Sequence, residues 1–174
     1  MRVVNGKNFD LRELYPDKVF VPTTIDAEAQ LKMQASLEVV QRVIEKGEVV
    51  YGVTTGFGNL CDISIPMNQL KELQVNLVRS HACAVGEPLS PEMTAAMMLA
   101  RANALAVGAS GVRTEVVKHI LAMLELRIIP VVPRIGSLGA SGDLAPLAHA
   151  ALGIIGEGMV DVWQDEQWKR MPAE

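Results

Sequence analysis

The sequence predicts a mainly α-helical fold interrupted by two glycine-rich loops, and three observations carry that prediction. Hydrophobic residues fill 49% of the 174 positions and aromatics only 4%, so the core must come from Ala, Val, Leu, Ile and Met, side chains that suit close-packed helices. Apolar residues recur at three- and four-residue spacing along several stretches, the period of one helix face. Glycines collect instead at Gly52–Gly58 and Gly136–Gly142, where a backbone without Cβ can turn tightly or approach another group.

In chain order, the first two dozen residues are mixed in character and end in Val19-Phe20-Val21-Pro22-Thr23-Thr24, a short extended piece entering a cap. Helix one starts at Asp26, with Leu31, Leu37, Val40, Val43 and Ile44 at roughly helical spacing and Gly47 closing it. Residues Val49 to Ile65 form the first loop. Pro66 stands where a first helical turn tolerates proline, and Leu70, Leu73, Leu77 and Val78 make the stripe of helix two, which runs into Ser80-His81. Ser90-Pro91-Glu92 supplies a hydroxyl cap, a proline at the first helical position and an acid in the first turn, so helix three runs from there to about Val107.

Gly108-Ala109-Ser110-Gly111 breaks that helix, with Ser110 read as a helix cap. Val116, Val117, Ile120, Leu121 and Leu124 mark helix four. The prolines of Ile128-Ile129-Pro130-Val131-Val132-Pro133 end it, because each pushes its predecessor out of the α region. After the second loop Asp143 caps a last helix, with Pro146 still inside its first turn. Met159–Met171 makes a small hairpin about Gln164-Asp165-Glu166-Gln167. No repeat or low-complexity linker divides the chain, so residues 1–174 read as a single domain.

Composition excludes several function classes. The net charge of -4, from 16 Lys and Arg against 20 Asp and Glu, lacks the clustered basic excess of a nucleic-acid binder. Cys61 and Cys83 are too few for a disulfide scaffold and lack the paired spacing of a zinc site, so no metal is expected and a reduced compartment is. The N-terminus alternates charge instead of running apolar, and the longest apolar stretches are interrupted and too short to span a bilayer. The expectation is a soluble cytoplasmic protein with no membrane contact.

The glycine loops are the candidate sites. Neither ends in Gly-Lys-Ser/Thr, so a phosphate-cradling loop is disfavoured. Ser141 is followed at once by Gly142 and Asp143, which breaks the Gly-x-Ser-x-Gly spacing of a nucleophile elbow. Ala140-Ser141-Gly142 permits a rarer chemistry. Attack of the Gly142 nitrogen on the Ala140 carbonyl carbon closes a five-membered ring, and loss of one water from the ring and one from the Ser141 side chain leaves an exocyclic methylene. A helix N-terminus just beyond would stabilise negative charge on that electrophile. Ala109-Ser110-Gly111 has the same three residues and also precedes a helix, so composition alone does not choose between them; the glycine and proline context tilts toward the second.

The stretch Gly136-Ser137-Leu138-Gly139-Ala140-Ser141-Gly142-Asp143-Leu144-Ala145-Pro146-Leu147-Ala148-His149 resembles the signature of the histidine and aromatic amino-acid ammonia-lyases, whose Ala-Ser-Gly becomes methylidene-imidazolone (MIO). Tyr51-Gly52-Val53-Thr54-Thr55-Gly56-Phe57-Gly58 and Asn76-Leu77-Val78-Arg79-Ser80-His81 resemble two further family motifs, in the family's order. The resemblance runs from about Val19 to Gly158 and is closest to the histidine-acting branch. It implies that Ala140, Ser141 and Gly142 form the MIO group, that Tyr51 is the base taking the substrate's β-proton, and that His81, with Ser80 and Gly58, lines the substrate pocket. Asn76 and Gly56 are implied to shape that pocket, while His119 and His149 are read as structural.

The implied reaction is elimination of ammonia from L-histidine to give trans-urocanate. A tyrosine or phenylalanine ammonia-lyase or a 2,3-aminomutase is the alternative, since the Ser-His pair also occurs among relatives acting on tyrosine. Members of the family are longer, so the resemblance implies the helical N-terminal segment of an ammonia-lyase-like fold. A homo-oligomer or a second chain would supply the remaining helices. The reading of another class is a truncated, non-catalytic relic or interaction subunit that keeps the motifs.

Overall fold

The computed structural model describes residues 1–7, 9–58, 65–139 and 142–174. The chain opens with strand β1 (Arg2–Val4), which pairs in parallel with β2 (Thr23–Ile25), Val4 opposite Ile25. Asp26 then caps α1 (Ala27–Glu45), its carboxylate accepting from the Glu28 and Ala29 amides at 3.0 and 3.3 Å. That satisfies two of the donors a helix start leaves unpaired. Ala29 and Met33, four residues apart, are the buried positions of α1, and Leu31 lies off that stripe, 72% exposed. Leu31 therefore does not belong to the core face expected from its spacing. Only the first half of α1 rests on the core, and its buried line runs through 29 and 33, almost opposite Leu31.

A 3-10 turn at Met67–Gln69 leads into α2 (Leu70–His81), whose expected stripe of Leu70, Leu73, Leu77 and Val78 is half-buried throughout. Strand β3 (Val85–Pro88) follows, antiparallel to β5 (Pro133–Ile135). Ser90 caps α3 (Pro91–Leu105), its Oγ accepting from Met93 N at 3.3 Å. α3 and α4 (Thr114–Glu125) form the centre of the core: Ala95, Leu99, Ala102 and Val117 are fully buried, with Ile120, Leu121 and Leu124 beside them. Between the two helices the backbone passes close to α1. A Cβ on Gly108 would stand 2.6 Å from the Lys32 Cβ, and one on Gly111 2.3 Å from the Val40 Cγ2.

Three expectations are corrected here. Ser110 does not cap α4; the capping position is Arg113, with no side-chain bond. The segment Ile128–Pro133 is more than a helix terminator. α4 already stops at Glu125, Arg127 takes φ +51, and Ile128–Pro130 becomes strand β4, paired antiparallel with β6 (Met159–Gln164). Proline is tolerated there because β4 is an edge strand, with one side free of ladder bonds. Asp143 stands at the capping position of α5 (Leu144–Ile154), but its carboxylate makes no capping bond, and Ser137 Oγ donates to it instead.

The chain ends in a hairpin of β6 (Met159–Gln164) and β7 (Gln167–Pro172), about the turn expected from the sequence. Asp165 and Glu166 both have positive φ, +51 and +58, the geometry of a two-residue hairpin turn that matches strand twist. Trp163 and Trp168 face each other across it at 5.2 Å, and the Arg127 guanidinium lies over Phe20 and Trp163. Asp161, 6% exposed, takes a paired bond from Arg170 at 2.9 and 3.0 Å. Among the described residues no helix is long and apolar enough to cross a membrane.

Candidate active site

Three segments carry the candidate residues. The first follows α1, where the chain turns through Tyr51–Gly58. Two buried threonines hold it. Thr54 Oγ1 donates to the Glu48 carbonyl at 2.6 Å and accepts from Val50 N at 2.9 Å. Thr55 Oγ1 donates to the Gly56 carbonyl and accepts from Gly52 N. A loop cannot satisfy its backbone by helix or ladder bonds, so hydroxyls at fixed positions do so. The sequence signal for these two residues is an adjacent pair of threonines in a glycine-rich stretch; their burial comes from the fold. On this frame the Tyr51 ring packs edge-on against Phe57 at 5.8 Å and is 62% exposed. The Gly58 amide donates to Tyr51 Oη at 3.2 Å. Two predicted site residues, Tyr51 and Gly58, are thereby brought together.

The second segment is the C-terminal turn of α2. His81 Nδ1 lies 2.9 Å from the Leu77 carbonyl, which can only accept, so the Nδ1 hydrogen points into the helix. Neutral His81 then presents Nε2 as an acceptor. Ser80 Oγ donates to the same carbonyl at 2.9 Å and lies 3.1 Å from His81 Nδ1. Two residues before His81, Arg79 reaches Glu157 beyond α5, with bonds of 2.9 and 2.6 Å. That pairing holds the Glu157 carboxyl below its usual range and the Arg79 guanidinium above its own. Asn76 is exposed and meets Arg79 at 3.4 Å.

The third segment is the second glycine loop. Ala140 and Ser141 lie outside the described residues, so the loop is seen from its flanks. Gly139 and Gly142 have φ of +68 and +120, backbone shapes that side chains disfavour, and among the described residues a Cβ on either would meet nothing within 4 Å. α5 begins two residues after Gly142, so its free amides face the loop end. Glycine-permitted backbone and a helix N-terminus are what ring closure at Ala140-Ser141-Gly142 would need, so the flanking residues fit the MIO group. The other Ala-Ser-Gly differs: Gly111 N already donates to Ser36 Oγ at 2.9 Å, and its Cα packs on Val40.

The second and third segments meet. A Cβ on Gly136 would stand 2.6 Å from the Ala84 Cβ and 3.2 Å from the Ala145 Cβ, so the connection after His81 lies against the start of the loop and against α5. His149 Nε2 accepts from Ala84 N at 3.2 Å, and burial pushes its imidazole below the usual histidine range. Among the described residues no hydrogen bond or ion pair joins the Tyr51 loop to the Gly136–Gly142 loop. His119 is exposed on α4. Cys83 is a free, exposed thiol, and Cys61 lies outside the described residues.

Known proteins place this arrangement. The chain is 51% identical over 152 residues to the histidine ammonia-lyase of Geobacillus thermodenitrificans, covering 87% of this chain and 29% of that one. It is 54% identical over 129 residues to that of Staphylococcus aureus, covering 74% of this chain and 26% of that one. The chain therefore spans less than a third of the length of these relatives. Its fold matches a tyrosine aminomutase from Streptomyces globisporus with a TM-score of 0.85 at 35% identity, over 97% of this chain and 31% of the other. It matches a histidine ammonia-lyase from Trypanosoma cruzi with a TM-score of 0.81 at 35% identity, over 99% and 33%. The model of the aromatic amino acid lyases matches residues 12–174, and with this architecture and these loops the chain belongs to the aromatic amino acid lyase family.

Proposed function

We propose that this chain carries the ring-forming and substrate-reading part of a histidine ammonia-lyase, which eliminates ammonia from L-histidine to give trans-urocanate. The observation that carries the choice of substrate is the His81 imidazole. Its Nδ1 is committed to Leu77, so Nε2 offers one lone pair to a donor on the substrate side chain. An imidazole N–H fits that acceptor and a bare phenyl ring does not. The identity to two histidine ammonia-lyases supports the same reading.

Ala140, Ser141 and Gly142 would form the MIO group, which supplies an electrophilic methylene to the substrate amine. The chain's own residues do the rest. Gly139 and Gly142 give the loop its left-handed turns, and the α5 amides stabilise negative charge at its end. Tyr51 Oη takes the β-proton, with the Gly58 amide fixing the direction of the phenol. Ser80 and His81 hold the substrate ring. Further pocket groups come from a second chain or from other copies in a homo-oligomer.

A second reading rests on the likeness to a tyrosine aminomutase. A phenol hydroxyl would donate to the same His81 lone pair, so a tyrosine-acting lyase or aminomutase is the competing assignment. A non-catalytic subunit is the third. The intact mass of the purified chain separates the last from the others: loss of two waters, abolished by Ser141→Ala and retained in Ser110→Ala, is the expected result, and an unmodified mass refutes ring formation by this chain. Absorbance of urocanate, cinnamate and coumarate with histidine, phenylalanine and tyrosine as substrates then tests specificity. Product from tyrosine alone overturns the histidine assignment.

A further inference from the structure

We propose that His149 is a positioning residue for the substrate-reading end of α2. This rests on the function proposed above, and it goes beyond the reading of His149 as a structural side chain. His149 lies on α5, on the same helix face as Ala145 four residues before it. Its Nε2 accepts the Ala84 amide across 65 positions of sequence, while Gly136 lies against both Ala84 and Ala145. Ala84 comes three residues after His81 and is 9% exposed. Its amide begins the connection to β3, so neither helix nor ladder supplies it with a partner. α2 packs directly on α5, and the His149 ring adds a hydrogen bond from α5, at whose N-terminus the ring-forming loop ends, to the connection just after Ser80 and His81.

The other polar fastening near the end of α2 is the Arg79–Glu157 pair, with side chains 54% and 35% exposed. Exposed pairs of this kind hold little, and this one sits on the far side of His81 from Ala84. The His149 bond is partly buried and requires the neutral imidazole, since only the unprotonated Nε2 accepts. No other charged residue lies on α5. The elements with the main contacts to it bring Lys71, Glu72, Arg79 and His81 on α2 and Arg134 on β5, and β4 brings none.

The test uses the chain itself, labelled for NMR, with two readouts: hydrogen exchange at the Ala84 amide and the imidazole signals of His81. His149→Phe keeps ring volume and removes the acceptor; His149→Gln keeps an acceptor. The expected result is about fivefold faster exchange at Ala84 in His149→Phe, the size of one neutral hydrogen bond, with shifted His81 signals and both effects smaller in His149→Gln. Exchange at Leu99 in α3 stays unchanged and shows that the fold is intact. Unchanged Ala84 exchange in His149→Phe overturns the proposal, and so does faster exchange with unmoved His81 signals. Neither readout depends on ring formation or elimination, so failure of the proposed function would leave them as they are.

Discussion

Replacing Thr54 by valine removes one hydroxyl and almost no volume, and the structure assigns that hydroxyl two bonds. It donates to the Glu48 carbonyl at 2.6 Å and accepts from Val50 N at 2.9 Å, in a side chain 7% exposed. The methyl of valine can make neither bond. Glu48 is exposed, so its carbonyl regains water, whereas Val50 is half-buried and its amide recovers less. At about 1 kcal/mol for each net hydrogen bond lost, the loop should be destabilised by about 2 kcal/mol. If the loop opens as a local unit, that corresponds to about thirtyfold faster hydrogen exchange at the Val50 amide. If it opens only with the whole chain, the same energy moves the urea midpoint down by about 1 M, for an m-value of about 2 kcal/mol/M. Thr54→Ser keeps the hydroxyl and should restore most of the effect. A Thr54→Val chain with wild-type exchange at Val50 and a wild-type urea midpoint would show that the hydroxyl does not hold the Tyr51 loop.

Two further predictions concern stability. Asp165 and Glu166 adopt left-handed φ of +51 and +58, which costs a side chain about 1 kcal/mol per residue, so Asp165→Asn with Glu166→Gly should raise the thermal midpoint; a lowered midpoint would mean the turn is not of this type. Burial holds His149 below its ordinary 6.5, so the unfolded chain binds the proton first as pH falls. The stability contributed by neutral His149 is thus complete above 6.5 and declines as pH falls from there through the lowered folded value. Urea midpoints from pH 7 to pH 5 should fall, and more steeply than in His149→Phe; equal slopes would refute the assignment. Asp10, Glu28 and Glu157, held below their usual ranges by Arg12, Lys32 and Arg79, lose stability only at lower pH, which keeps the two windows apart.

What was readable in the sequence was local. Ser90-Pro91-Glu92 announces α3 because a cap, an N1 proline and a first-turn acid act within one turn. The hairpin at Gln164–Gln167 was legible for the same reason, its two strands being neighbours in sequence. The glycine clusters marked loops, and the family motifs carry the proposal of which loops form the site. Strands of three or four residues were not legible: β3 meets β5 and β4 meets β6 across tens of residues, and nothing within Val85–Pro88 or Ile128–Pro130 names the partner. The sequence places Asp143 at a cap because a cap position is local, whereas the partner its carboxylate takes is Ser137, six residues earlier.

The sequence by itself determined the helices and the two glycine loops, since periodicity, caps and backbone freedom are properties of a few neighbouring positions. Only the tertiary structure decided which faces are buried, leaving Leu31 outside and closing Gly136 against Ala84 and Ala145. It also decided the direction of the His81 lone pair and gave His149 its partner 65 residues away. Burial and long-range hydrogen bonding depend on how separate segments pack, and that arrangement minimises the free energy of the whole chain, not of any one stretch.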